Sequence, residues 1–130
     1  MNRIIVCDDE PHIVEGLRHL LRSTEREIVV SHSGPEALRH IRERKPDLLI
    51  IDIMMPEMSG LEVISALRAA SATEDLPIII LTAKGQAQDA AMAQEMWGAT
   101  VVAKPFAPRQ LRELVAATLE RAACPQPSSA

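Results

Sequence analysis

The chain contains no tyrosine, one tryptophan (Trp97) and one phenylalanine (Phe106). Single-stranded nucleic acid is bound largely by stacking bases on aromatic platforms, and this domain has almost none. Cysteine is equally scarce. Cys7 falls inside an apolar run and Cys124 near the C-terminus, so the pair reads as a packed thiol and an exposed one, not a disulfide framework. No apolar stretch approaches the roughly 20 residues of a membrane span. The apolar part of the N-terminus is too short for a signal peptide. Charge of one sign does not dominate: the formal net charge is −4, and nothing global points to nucleic acid or an anionic membrane. The basic stretch Arg39–Lys45 is interrupted by Glu43 and reads as a solvated helix end. There is no internal repeat and no low-complexity tract. The expectation is a cytoplasmic protein.

What is present is one domain's length of chain with 47% hydrophobic residues, enough for a real core. Strand and helix patterns alternate five times. Strands are expected at about 3–7, 27–31, 47–52, 77–82 and 100–103. The helices follow at about 11–22, from Ser33-Gly34-Pro35 to before Pro46, from Ser59-Gly60, 86–97 and 108–122. The first helix places Ile13, Val14, Leu17, Leu20 and Leu21 on one face at helical spacing. Pro35 suits a first helical turn, the residue before Pro46 is biased away from helix, and Gly98 is a C-terminal stop. Such a (βα)5 alternation implies a parallel, doubly wound sheet with right-handed crossovers. The common strand order, 2-1-3-4-5, has its switch point beside the first strand. The fold class is therefore α/β, flavodoxin-like. The Pro/Ser-rich stretch 123–130 is expected to be a disordered tail or the stub of a linker.

The strand ends carry the chemistry. Leu48-Leu49-Ile50-Ile51 ends in Asp52, Ile4-Ile5-Val6-Cys7 in Asp8-Asp9, Ile78-Ile79-Ile80-Leu81 in Thr82, and Val101-Val102-Ala103 in Lys104-Pro105. In an open α/β sheet that edge is where ligands bind. Three carboxylates, a hydroxyl and an amine make an inventory for a divalent metal and a phosphoryl group. Mg2+ takes oxygen ligands from one or two carboxylates plus waters and phosphate oxygens. A carboxylate beside it can attack phosphorus, and phosphoryl transfer needs mainly positioning and charge stabilisation. Each element alone has a bland reading: Asp8-Asp9-Glu10 as acids at a helix N-terminus, Thr82 as a strand end, Lys104-Pro105-Phe106 as a turn with an apolar anchor. The conjunction at one edge is what is specific.

With these residues in view, the chain resembles the receiver domain of two-component response regulators, of the single-domain, chemotaxis-regulator-like kind. The matching segments are 5–10, 47–60, 77–84 and 104–108, and the resemblance covers about 1–122, the expected domain. It implies that Asp52 is a phosphoacceptor, receiving phosphate from the phosphohistidine of a sensor histidine kinase or phosphotransfer protein. It implies Asp9 as a direct Mg2+ ligand, Asp8 as a ligand through water, Asp52 and the main-chain carbonyl of Met54 as further ligands, with Mn2+ able to substitute. Lys104 is then the amine on the acyl phosphate, in a Lys104–Pro105 bond expected to be cis. Thr82 is the hydroxyl that moves onto the phosphoryl group, with Ala83, Pro105 and Val101 as accompanying switch and structural positions. Output is expected through the face of the fourth helix, fifth strand and fifth helix, to a downstream protein. No nucleic acid or membrane contact is expected of this domain, and the oligomeric state is expected to be monomer or weak dimer.

The family usually carries an aromatic three residues before the lysine. Here that position is Val101, so switching is expected to be relayed by aliphatic repacking or to be weak. Thr100-Val101 also replaces the acidic residues that support a salt-bridged dimer face. Met54 and Lys84, two positions after Asp52 and Thr82, would flank the attacking water, and slow self-dephosphorylation is expected. A Mg2+-dependent phosphohydrolase with an aspartyl intermediate is the alternative. Haloacid-dehalogenase-like phosphatases, however, close their first strand with Asp-x-Asp, whereas this one ends in adjacent Asp8-Asp9, and there is no cap-sized insertion. The chain is accordingly expected not to be a turnover enzyme. A second alternative is the receiver fragment of a longer DNA-binding regulator; a third is an unphosphorylated scaffold.

Overall fold

The computed structural model describes residues 2–83 and 85–123. Lys84, Cys124 and the remainder of the expected tail lie outside the described residues. The strands are β1 (Asn2–Cys7), β2 (Arg26–Ser31), β3 (Leu48–Asp52), β4 (Ile78–Thr82) and β5 (Thr100–Ala103). The helices are α1 (Pro11–Leu21), α2 (Gly34–Glu43), α3 (Gly60–Ala69), α4 (Ala87–Trp97) and α5 (Pro108–Ala123). They form one parallel sheet in the order β2-β1-β3-β4-β5, as the alternation predicts. Element ends differ from the expected ones by a residue or so, and helix ends fray by that much.

Successive side chains of a strand point to opposite faces, and here both faces are covered. Ile5, Cys7, Leu49, Ile51, Ile78 and Ile80 pack on one side with residues of α2, α3 and α4. Ile4, Val6, Leu48, Ile50, Ile79 and Leu81 pack on the other with α1 and α5. This is why the central strands read as unbroken apolar runs instead of alternating ones.

Register then aligns the strand ends. Cys7 pairs with Ile51, Asp52 with Leu81, and Thr82 with Ala103. The residues that follow, Asp8 and Lys104, therefore emerge beside Asp52 and Thr82. The ladder continues past the strands: Asp8 N–H donates to Ser31 O (3.2 Å) and Lys104 N–H to Thr82 O (2.7 Å). Local signals start the helices around this edge. Ser33 caps α2 through Glu36 N–H, and Ser59 with Glu62 forms a reciprocal capping box on α3. Gly60 N–H donates to Ile53 O at 2.8 Å. A Cβ at Gly60 would collide with the main-chain oxygen of Asp52, so only glycine lets α3 start this close to the end of β3.

Candidate functional site

The centre of the edge is a buried ion triad. Lys104 Nζ donates to Asp52 Oδ2 at 2.8 Å and to Asp8 Oδ2 at 3.2 Å. Asp8 is fully buried, Asp52 is 4% exposed, and the Lys104 side chain is 17% exposed. The remaining carboxylate oxygens are also engaged: Asp8 Oδ1 accepts Glu10 N–H (3.1 Å) and Asp52 Oδ1 accepts Met54 N–H (3.2 Å). Buried charge is tolerated only when paired and hydrogen-bonded in this way.

The electrostatics are those of crowded acids around one cation. The Asp8 pKa is raised to about 6, chiefly by burial and with the charge of Asp52 adding to it, against the lowering effects of the Glu10 amide and Lys104. For Lys104, burial acts to lower the pKa, but the bond to Asp52 and the charges of Asp8 and Asp52 outweigh it, and the net shift is upward. Cys7, just behind the edge, is pushed up to about 12 by burial, with the nearby carboxylates adding to it. It is an unreactive packed thiol, touching Met55 Sδ at 3.5 Å.

Carboxylate oxygens of Asp8, Glu10 and Asp52 lie within 4.8 Å of one another. These are hard oxygen donors, three acids beside the single ammonium of Lys104. That donor set fits Mg2+ or Mn2+ and not a soft metal. Asp9, expected as the direct ligand, is exposed and is not part of this group, whereas Glu10 is. Glu10 had no ligand role in the reading of the sequence. The available signal was its place two residues after Asp8, where Asp8 Oδ1 bends the chain back on the Glu10 amide.

Thr82 is buried, and among the described residues its hydroxyl reaches only the carbonyl of Ala83, at 3.3 Å. Ala83 N–H in turn donates to Gln86 Oε1 at 2.8 Å. Met54 is 64% exposed at the mouth of the site. The Lys104–Pro105 bond is cis, as the resemblance implies. Val101 is half-buried and packs, with Trp97, against the core on the α2, α3 and α4 side. His12 is exposed and pairs with Glu10 at 3.3 Å.

A doubly wound sheet whose C-terminal edge carries an acid cluster, a buried Asp–Lys pair and a strand-end threonine defines a phosphoryl-handling α/β domain. The comparisons make this specific: the response regulator receiver domain model matches residues 4–116, and the chain belongs to that family. It is 40% identical over 119 residues to the DNA-binding response regulator MtrA of Mycolicibacterium smegmatis, covering 92% of this chain and 51% of that protein. It is 35% identical over 127 residues to the alkaline phosphatase synthesis transcriptional regulatory protein PhoP of Bacillus subtilis, covering 98% and 52%. The chain thus spans about half the length of the curated relatives it matches. Among solved structures, a response regulator receiver domain protein from Clostridium thermocellum superposes with a TM-score of 0.85 at 27% identity, covering 93% of this chain and 96% of that one. The Vibrio cholerae chemotaxis protein CheY4 does so with a TM-score of 0.80 at 28% identity, covering 91% and 98%. The domain is a phosphorylation-activated switch, a signalling module and not a classical enzyme. Among the described residues, no helix is long and apolar enough to cross a membrane.

Proposed function

We propose that Asp52 is the phosphoacceptor and that a sensor histidine kinase or phosphotransfer protein is the donor. The observation that carries this is the Lys104 ammonium held between Asp52 and Asp8, beside the group of three carboxylates. An Asp52 carboxylate oxygen attacks phosphorus, the O–P bond forms, the P–N bond of phosphohistidine breaks, and the imidazole leaves. Lys104 holds positive charge against the transferring phosphoryl oxygens. The Met54 amide steadies the acceptor carboxylate. Thr82, whose hydroxyl makes a long bond to the Ala83 carbonyl, turns onto a phosphoryl oxygen and draws Ala83 with it.

Asp8, Asp52 and the Met54 carbonyl would hold Mg2+ (or Mn2+), with Asp9 or Glu10 completing the set: Asp9 on the resemblance, Glu10 on distance. When bound, the cation supplies charge neutralisation on the phosphoryl oxygens and relieves the crowding of the acids. Signal leaves through the α4, β5 and α5 face to a downstream protein. Self-dephosphorylation by water, a cytoplasmic location, a monomeric or weakly dimeric state, a receiver unit spanning 1–122, and no direct contact with nucleic acid or membrane complete the proposal. Contact with DNA, in a relative such as MtrA, would belong to sequence outside this domain.

The test is intact mass after incubation with acetyl phosphate, with and without Mg2+, beside Asp52→Asn. A single Mg2+-dependent phosphoryl adduct, absent from the mutant, is expected. An adduct that persists in Asp52→Asn would move the acceptor elsewhere. Catalytic turnover of acetyl phosphate without an adduct would favour the phosphohydrolase.

A further inference from the structure

α4 is held unevenly along its length. Its buried residues are Ala90 and Ala93, which bring little apolar area, while Met92 and Met96 are exposed. At its N-terminal end the Gln86 side chain makes no capping bond to the helix and instead takes the Ala83 amide. Gly85, just before, sits at a φ of 94°. The C-terminal end differs. Trp97 packs against the core, and Gly98 closes the helix in the left-handed region at a φ of 68°. Arg68, in the last turn of α3, donates Nε to the Trp97 carbonyl (3.0 Å) and Nη1 to the Thr73 carbonyl (3.3 Å). Thr73 Oγ1 donates back to Leu67 O at 2.6 Å. One half-buried guanidinium therefore ties the last turn of α3, the turn that follows it and the last turn of α4. The last carbonyls of a helix have no intrahelical partner, a cation there suits the dipole, and bonds from a charged donor are the strong ones.

We propose that Arg68 is a positioning residue of the switch: its bond to the Trp97 carbonyl makes the C-terminal end of α4 the fixed end, and phosphorylation moves the N-terminal end about it. This rests on Asp52 and Thr82 acting as proposed above. Movement of Thr82 carries Ala83, and the Ala83–Gln86 bond carries the start of α4. Trp97 stays with α3.

The experiment uses the whole chain as wild type, Arg68→Met and Arg68→Lys, read by amide exchange and by backbone chemical shifts. Without a phosphoryl mimic, Arg68→Met should speed exchange at 94–98 by about tenfold, the scale of losing a charged hydrogen bond, and leave 87–90 unchanged. Arg68→Lys, which keeps the charge and one donor group, should fall between and carries the comparison where the Met variant does not fold. With Mg2+ and beryllofluoride, wild-type shifts should be large at 82–90 and small at 94–98, and in Arg68→Met they should spread to 94–98. Unchanged exchange in both variants, or wild-type shifts of equal size at the two ends of α4, overturns the proposal. Absence of any mimic-induced shift at Asp52 and Thr82 would instead remove the phosphoacceptor reading. The exchange arm, run without the mimic, would still decide whether Arg68 fixes that end.

Discussion

Lys104 and Asp52, 52 positions apart in the chain, meet at 2.8 Å with the ammonium also 3.2 Å from Asp8. Removing the cation leaves two buried carboxylates facing each other. Lys104→Met should therefore cost about 3 kcal/mol at neutral pH without metal, the scale of breaking a buried pair. The loss should shrink near pH 5, where Asp8 can take up a proton. Urea denaturation at both pH values checks this; an equal loss at both would mean the pair is not coupled to Asp8.

The pH dependence has a definite sign. The Asp8 pKa is about 6 in the fold against 3.8 for an unperturbed aspartate, so the folded state binds the extra proton between those values. Stability contributed by this group is present below about pH 4 and is lost as pH rises through 6. In chelator, Asp8→Asn should be more stable than wild type above pH 6, and the difference should vanish toward pH 4. Added Mg2+ should close the gap by stabilising wild type. Denaturation curves with and without Mg2+ read it directly.

Asp9 and Glu10 compete for one role. Glu10 is grouped with Asp8 and Asp52, but its carboxylate is exposed and also faces His12, and its longer side chain loses more freedom on ordering. Asp9→Asn should weaken Mg2+ binding about tenfold, and Glu10→Gln by no more than about twofold, measured by titration calorimetry. The reverse order would make Glu10 the direct ligand.

Met54 stands exposed at the mouth of the site, and neither it nor Lys84 is an acid or amide that positions water. Met54→Asn combined with Lys84→Glu should shorten the lifetime of the acyl phosphate, followed by decay of the phosphoryl adduct. Equal or slower decay would count against the idea.

Gly60 leaves room for the Asp52 main-chain oxygen. Gly60→Ala should destabilise by about 1–3 kcal/mol, as overpacking does. It should also slow adduct formation, because α3 must move away from the acceptor strand. Thermal melts and phosphorylation time courses measure the two effects separately.

Short-range patterning decided much of this protein. The unbroken runs Ile4–Cys7, Leu48–Ile51 and Ile78–Leu81 announce strands buried on both faces. Ser59, Pro35 and Gly98 mark helix ends, and the polar residue ending each run names the functional edge, because strand direction and crossover hand are nearly fixed by chain chirality. Side chains converging from separate elements are a different matter. Nothing in the sequence marks Arg3 as buried, yet it is 8% exposed and joins Glu27 (2.9 Å), the Arg44 carbonyl (2.6 Å) and, through its own amide, Asp47 (2.7 Å). Nothing in the sequence pairs Arg68 with α4, yet it donates to the carbonyl that ends that helix. Glu10, and not Asp9, lies with Asp8 and Asp52. In each case the choice depends on side-chain direction and on which elements pack together, and periodicity carries neither. The residues at the functional edge were written in the sequence; which of them touch, and what holds α4, was decided only by the tertiary packing.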